Sequence, residues 1–124
     1  EYGIWQTTSW SAMAQLVARC LTTDWLSVSS RDRLAGWMVA TGTGMARIRA
    51  GLPSAWRAGD KTGTAQADGM VDKTNDIAVV WPPSGGPVVI TGYYDGPRST
   101  GRTQDADQAV LAEVGRIAAR WIGA

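Results

Sequence analysis

Between Trp56 and Tyr94 the sequence holds three strand-like stretches whose connections are too short to carry a helix, and this constrains the fold most. "WRAGDKTGTA" (56–65) is the first, followed by a polar loop over 66–74. "NDIAVVW" (75–81) is apolar and β-branched and is stopped by Pro82 and Pro83. Gly85 and Gly86 make a turn, and "PVVITGYY" (87–94) is the third stretch. Parallel neighbours need a crossover of about a dozen residues or more. The short connections therefore point to an antiparallel meander.

Helical spacing dominates on either side. Met13, Leu16, Val17, Cys20 and Leu21 recur at helical intervals over 11–21. A second helix is expected from near Ser29 through "SRDRLAGWMVA", with Asp32 as a first-turn acid, until "TGTG" at 41–44 breaks it. A short third helix, "MARIRAGL", ends at Gly51 and Pro53. After a Gly/Pro/Ser-rich stretch at 95–101, Val110, Leu111, Val114, Ile117, Ala118 and Trp121 form one apolar stripe of a long helix expected to pack on the sheet. Three helices, three strands and a C-terminal helix make an α+β chain, not a βαβ alternation. The expectation is a single domain over 1–124, with a helical segment at 9–53 and the sheet plus terminal helix at 54–124. The first ten residues show no period and read as an irregular arm.

Composition removes several classes of function. A chain of 124 residues can bury a core of its own. The net charge is +1 and no basic run exceeds two residues, so no nucleic-acid footprint is present. No apolar stretch approaches the roughly 20 residues that span a bilayer, so no membrane partner is expected. "EYGIWQTTSW" lacks the basic and apolar regions of a signal peptide, so the chain is not expected to be a complete secretory precursor. Cys20 is the only cysteine and histidine is absent, which excludes an internal disulfide, a Cys/His zinc site and a histidine-based triad. Cys20, in "LVARCL", reads as a small core residue. Seven Trp and no Phe suggest that some Trp fill the core and others face a ligand or partner.

The stretch "GDKTGTAQ" (59–66) carries the chemistry. A Lys-Thr-Gly triplet on a strand presents an ammonium and a hydroxyl to a cleft, and its glycine lets a ligand backbone lie alongside. Alone, the triplet is more often an ordinary piece of strand. Its context is specific: "LPSAWRAGDKTGT", "NDIAVVWPP", "PVVITGYY" and the amphipathic last helix follow "TTSWSAMAQLVARCL" and "LSVSSRDRLAGWMVATGTGMARIRAGLP". In that order, residues 7–122 resemble the C-terminal part of the class A serine β-lactamases.

The resemblance implies part of the β-lactamase/penicillin-binding transpeptidase-like fold and hydrolysis of β-lactam antibiotics by a secreted or periplasmic enzyme, with no metal or cofactor. Lys61, Thr62 and Gly63 match the family's Lys-Thr/Ser-Gly motif, in which the lysine supplies positive charge and the hydroxyl helps hold the substrate carboxylate. Thr64 matches the residue whose backbone N–H forms half of the oxyanion hole. Arg47 falls where some class A enzymes place an arginine that reaches the same carboxylate; others supply it from the next strand, and "TNDIAVV" has none.

Three further family motifs are missing from these residues. No serine has lysine three residues later, S-D-N does not occur, and Glu1 and Glu113 are the only glutamates. In the family those groups lie upstream, so the chain is expected to need a nucleophile-bearing segment. The resemblance also implies that "PVVITGYY" pairs with a strand from near the family's N-terminus and that the last helix packs on the first. The expected partners are therefore a β-lactam and either the missing upstream segment or a second copy on the exposed sheet edge. The loop over 65–74 is longer than is usual in the family. A non-catalytic, self-associating module and a penicillin-binding protein or D-Ala-D-Ala peptidase relative remain as alternatives.

Overall fold

The computed structural model describes residues 8–97 and 99–123; residues 1–7 of the expected arm lie outside the described residues. Helix α1 (Trp10–Thr22) and helix α2 (Val28–Ala40) are followed by a 3₁₀ turn at Ile48–Gly51. Strands β1 (Arg57–Ala65), β2 (Lys73–Trp81) and β3 (Val88–Asp95) come next, and helix α3 (Asp105–Ile122) ends the chain. No helix among the described residues is long and apolar enough to cross a membrane.

Local chemistry sets these boundaries. Ser9 caps α1, its Oγ accepting the Ala12 N–H at 3.1 Å. The cap of α2 is Ser27, which accepts the Ser30 N–H at 3.2 Å, so Ser29 lies inside the helix rather than before it. The third helical element contracts to the single 3₁₀ turn because Arg47 has φ −104° and ψ −135°, outside the helical region. The next N–H, that of Ile48, goes to the Asp76 carboxylate. Helix α3 closes at Gly123, whose φ of 107° is the left-handed conformation that glycine adopts freely, with its N–H returning to the Ala119 carbonyl.

The sheet is an antiparallel meander in the order β1-β2-β3, with Lys61 opposite Ile77, Thr62 opposite Asp76, and Ile77 opposite Thr91. Side chains alternate between its two faces. Ala78, Val80 and Ile90 meet Ile48 and Leu111, so one face is covered by the 3₁₀ turn and α3. Val79 meets Leu21, Ala35 and Met38, so α1 and α2 cover the other. The sheet is thus the middle of three layers.

Helix α3 docks through its small residues. A Cβ on Gly115 would lie 2.1 Å from the Ile48 carbonyl oxygen, and one on Gly51 would lie 2.0 Å from that of Ala112. Helix and turn therefore touch backbone to backbone, which admits no larger side chain. For that reason the buried face centres on Leu111, Ala112, Gly115 and Ala119. Val110, Ile117 and Trp121, expected in the same stripe, stay exposed, Trp121 at 80%.

Two substitutions test this packing. Gly115→Ala is expected to destabilise the chain by at least about 2 kcal/mol, through the clash with the 3₁₀ turn. Gly36→Ala, with nothing within 4 Å of the added methyl on α2, should instead stabilise by about 0.5–1 kcal/mol. Urea midpoints measure both, and equal shifts of one sign would refute the close-approach account.

Candidate functional site

Strand alternation distributes the singled-out residues over both faces of β1. Lys61 and Gly63 are on the α1/α2 side, while Thr62 and Thr64 share the other face with Asp76 and Thr74. Lys61 is exposed, and its Nζ donates to the Thr62 carbonyl at 2.5 Å. The Thr62 hydroxyl is hydrogen-bonded to that of Thr43 at 3.1 Å, tying the strand to the loop after α2. Lys61, Thr62 and Gly63 line one cleft of about 520 Å³ with Asn75, Tyr93 and Lys73. Lys61 also lines an apolar cleft of about 410 Å³ whose wall includes Met13, Trp37 and the half-buried Cys20.

Arg47 reaches the same strand from behind. It is buried, and Nη1 donates to the Asn75 carbonyl at 2.6 Å and the Gly63 carbonyl at 3.3 Å. Nη2 donates to the Thr64 hydroxyl at 2.8 Å. From α3, the Gln108 side-chain oxygen accepts from Nε at 3.5 Å. The structure therefore joins Arg47 to Thr64 and Gly63 directly. Lys61 comes to the same stretch of strand from the other face. Burial lowers the guanidinium's proton affinity, which Asp76 and Asp60 oppose, and an arginine so placed remains a cation at neutral pH. Thr64, which accepts from it on the exposed strand, keeps a hydroxyl hydrogen to offer outward.

A buried set of charges underlies this arrangement. Asp60, fully buried next to Lys61, pairs with Arg49 at 3.0 Å. Arg49 also donates to the Thr41 carbonyl at 3.0 Å, linking the end of α2 to β1. A Cβ on Gly44 would lie 1.7 Å from the Asp60 carboxylate, so that position has room for glycine alone. Asp76, equally buried, accepts the Ile48 N–H at 3.1 Å and has one oxygen without a partner. Burial first, and the negative Asp60 second, push its pKa from 3.8 to about 7.

These groups were not singled out in the sequence. The signal for Asp76 is a carboxylate directly ahead of the apolar run "IAVV" in β2; Asp60, in the polar stretch "GDKTG", and Arg49 carry no such signal. The long loop is anchored in a similar way. Asp72 accepts from the Thr100 N–H at 2.9 Å and from its hydroxyl, which together hold its carboxyl below the usual range.

Asp76 makes stability depend on pH: it lies near Asp60 of β1 and Arg47 on the approach to the 3₁₀ turn, while α3 brings the neutral Gln108 to Arg47. Its folded pKa is raised, so between about pH 4 and 7 the native state binds the extra proton. That contribution to stability is complete below pH 4 and is lost as pH rises through 7. Asp76→Asn should therefore melt close to the unsubstituted chain at pH 5 and above it at pH 8. A difference that does not change with pH would contradict this.

Comparison with known proteins shows the family. A profile described as "Beta-lactamase enzyme family" matches residues 3–122. The chain is 42% identical to "Beta-lactamase L2" of Stenotrophomonas maltophilia over 118 residues, covering 94% of this chain and 37% of that protein. It is 40% identical to "Beta-lactamase AST-1" of Nocardia asteroides, covering 94% of this chain and 36% of the other. Among solved structures, a β-lactamase from Burkholderia vietnamiensis superposes with a TM-score of 0.84 at 38% identity, over 98% of this chain and 43% of that one. An ancestral class A β-lactamase gives 0.77 at 47% identity, over 90% of this chain and 40% of the other. The chain spans a little over a third of the length of the curated relatives it matches.

Proposed function

This chain belongs to the β-lactamase enzyme family, with the fold of the class A enzymes, and on that premise we propose that it supplies the substrate-anchoring wall of a class A serine β-lactamase. The reaction is hydrolysis of a β-lactam antibiotic, and the protein acts outside the cytoplasm, secreted or periplasmic. The observation that carries the reading is the buried Arg47 guanidinium bonded to the Thr64 hydroxyl, beside the Lys61-Thr62-Gly63 stretch.

The chemistry follows from those groups. A β-lactam carries a carboxylate next to its strained ring. Lys61 supplies an ammonium, Thr62 a hydroxyl, and Thr64 a second hydroxyl polarised by Arg47; charge-assisted bonds of this kind contribute about 1.5–3 kcal/mol each. The Thr64 backbone N–H gives one donor to the oxygen that becomes anionic when the ring carbonyl is attacked. The attacking hydroxyl comes from elsewhere, since no serine here has a lysine three residues later. An upstream segment carrying it would also cover the strip of Val110, Ile117 and Trp121 on α3. A second copy of the chain is the alternative cover for that strip.

The test is kinetic. In the chain joined to the upstream segment of a β-lactamase relative, Lys61→Ala and Arg47→Ala should each lower kcat/KM for a cephalosporin by at least about tenfold. Unchanged kinetics in both folded variants would remove the anchoring assignment.

A further inference from the structure

Asp76 is an anomaly of the sheet. On the same face of β2, Ala78 and Val80 beyond it are fully buried and apolar, while Thr74 before it is buried and polar, so Asp76 stands where the apolar core begins. A carboxylate there costs desolvation, and one of its oxygens finds no partner. What the other oxygen secures is the Ile48 N–H at 3.1 Å.

That bond sits at the base of Arg47. The backbone at Arg47 is turned out of helical geometry, with ψ −135°, and Arg47's own side chain makes no capping bond to the 3₁₀ turn that follows. Two consecutive residues meet two consecutive residues of β2. Arg47 donates from Nη1 to the Asn75 carbonyl at 2.6 Å, and Ile48 donates from its N–H to Asp76 at 3.1 Å. With both ends held, Nη2 is aimed at Thr64. Asp60 and Arg49 lie alongside and pair with each other, while Asp76 lies close enough to Arg47 to feel its charge.

We infer that Asp76 is the positioning residue for Arg47, fixing through the Ile48 N–H the backbone from which the guanidinium reaches Thr64 and the Gly63 carbonyl. The inference rests on the reading of Arg47 as part of the anchor for an anionic substrate. It assigns Asp76 no contact with substrate; Asp76 acts on KM through the arginine.

The experiment uses the chain joined to the upstream segment of a β-lactamase relative and has two readouts. The first needs no turnover: the Arg47 Nε–H signal in a ¹⁵N correlation spectrum. It should be resolved and slow to exchange in the unsubstituted protein, retained in Asp76→Asn, which keeps an acceptor for Ile48, and averaged away in Asp76→Ala. An averaged signal in the unsubstituted protein, its loss in Asp76→Asn, or its persistence in folded Asp76→Ala overturns the inference. If Asp76→Ala does not fold, Asp76→Asn decides alone.

The second readout is kinetic. Asp76→Ala should raise KM for a cephalosporin by about fivefold or more with kcat within about twofold, the size expected for one lost buried hydrogen bond. In an Arg47→Ala background the same substitution should move KM by less than about twofold, because the residue it positions is gone. Independent, multiplying effects would mark a merely structural role and overturn the inference. An unsubstituted joined protein that turns over no β-lactam refutes the proposed function, while the Arg47 signal still decides the role of Asp76.

Discussion

Four buried or half-buried charges behind strand β1 hold this structure in register: Arg47 and Arg49 on the approach to and within the 3₁₀ turn, Asp60 on β1 and Asp76 on β2. Burying such groups is costly and is repaid only when their hydrogen bonds are made. Most are. Arg49 joins Asp60 to the carbonyl end of α2, and Arg47 joins β1 to β2 and α3. The neighbouring backbone conforms to them. Gly44 leaves space for the Asp60 carboxylate, and Gly51 and Gly115 let the turn and α3 meet without side chains between them.

The consequence for chemistry is a cation fixed behind a strand. A solvent-exposed arginine would lose rotamer entropy on each binding event and be screened by salt. Arg47 has already lost that freedom in the fold, and its charge reaches the surface through the Thr64 hydroxyl. Lys61 meets the same stretch from the opposite face of the strand, where it is exposed. A ligand lying along β1 would therefore meet positive charge from both faces of one short segment, a geometry suited to an anion with a flat backbone-like body.

Much of this was legible in the sequence. The strands and their meander follow from short connections and β-branched runs, and α1 and α2 from helical spacing; their observed bounds differ by a few residues at most. Less was legible where a tertiary bond overrides a local rule. "MARIRAGL" has helical spacing, yet Ile48 gives its N–H to a carboxylate 28 residues away. The stripe on α3 reads as one face, yet backbone contact at Gly115 rotates the small residues inward and leaves Trp121 outside. Ser27 outcompetes Ser29 as the cap because its hydroxyl is the one that reaches a free N–H three residues on. The Lys-Thr-Gly-Thr stretch could be read as a candidate, but not the buried pairings that support it, since two aspartates in separate strands announce no contact until the register brings them together.

Under the proposed function the chain would hold one wall of a β-lactamase site and draw its nucleophile from another segment. The most direct measurement is hydrolysis of a chromogenic cephalosporin by the purified 124-residue chain, alone and joined to the upstream segment of a β-lactamase relative. Turnover is expected only when the two are joined. Turnover by the chain alone would contradict that function, because a nucleophile would then have to lie among these residues. Silence from a folded, joined protein would contradict it as well, because the anchoring wall would then have failed to complete the site.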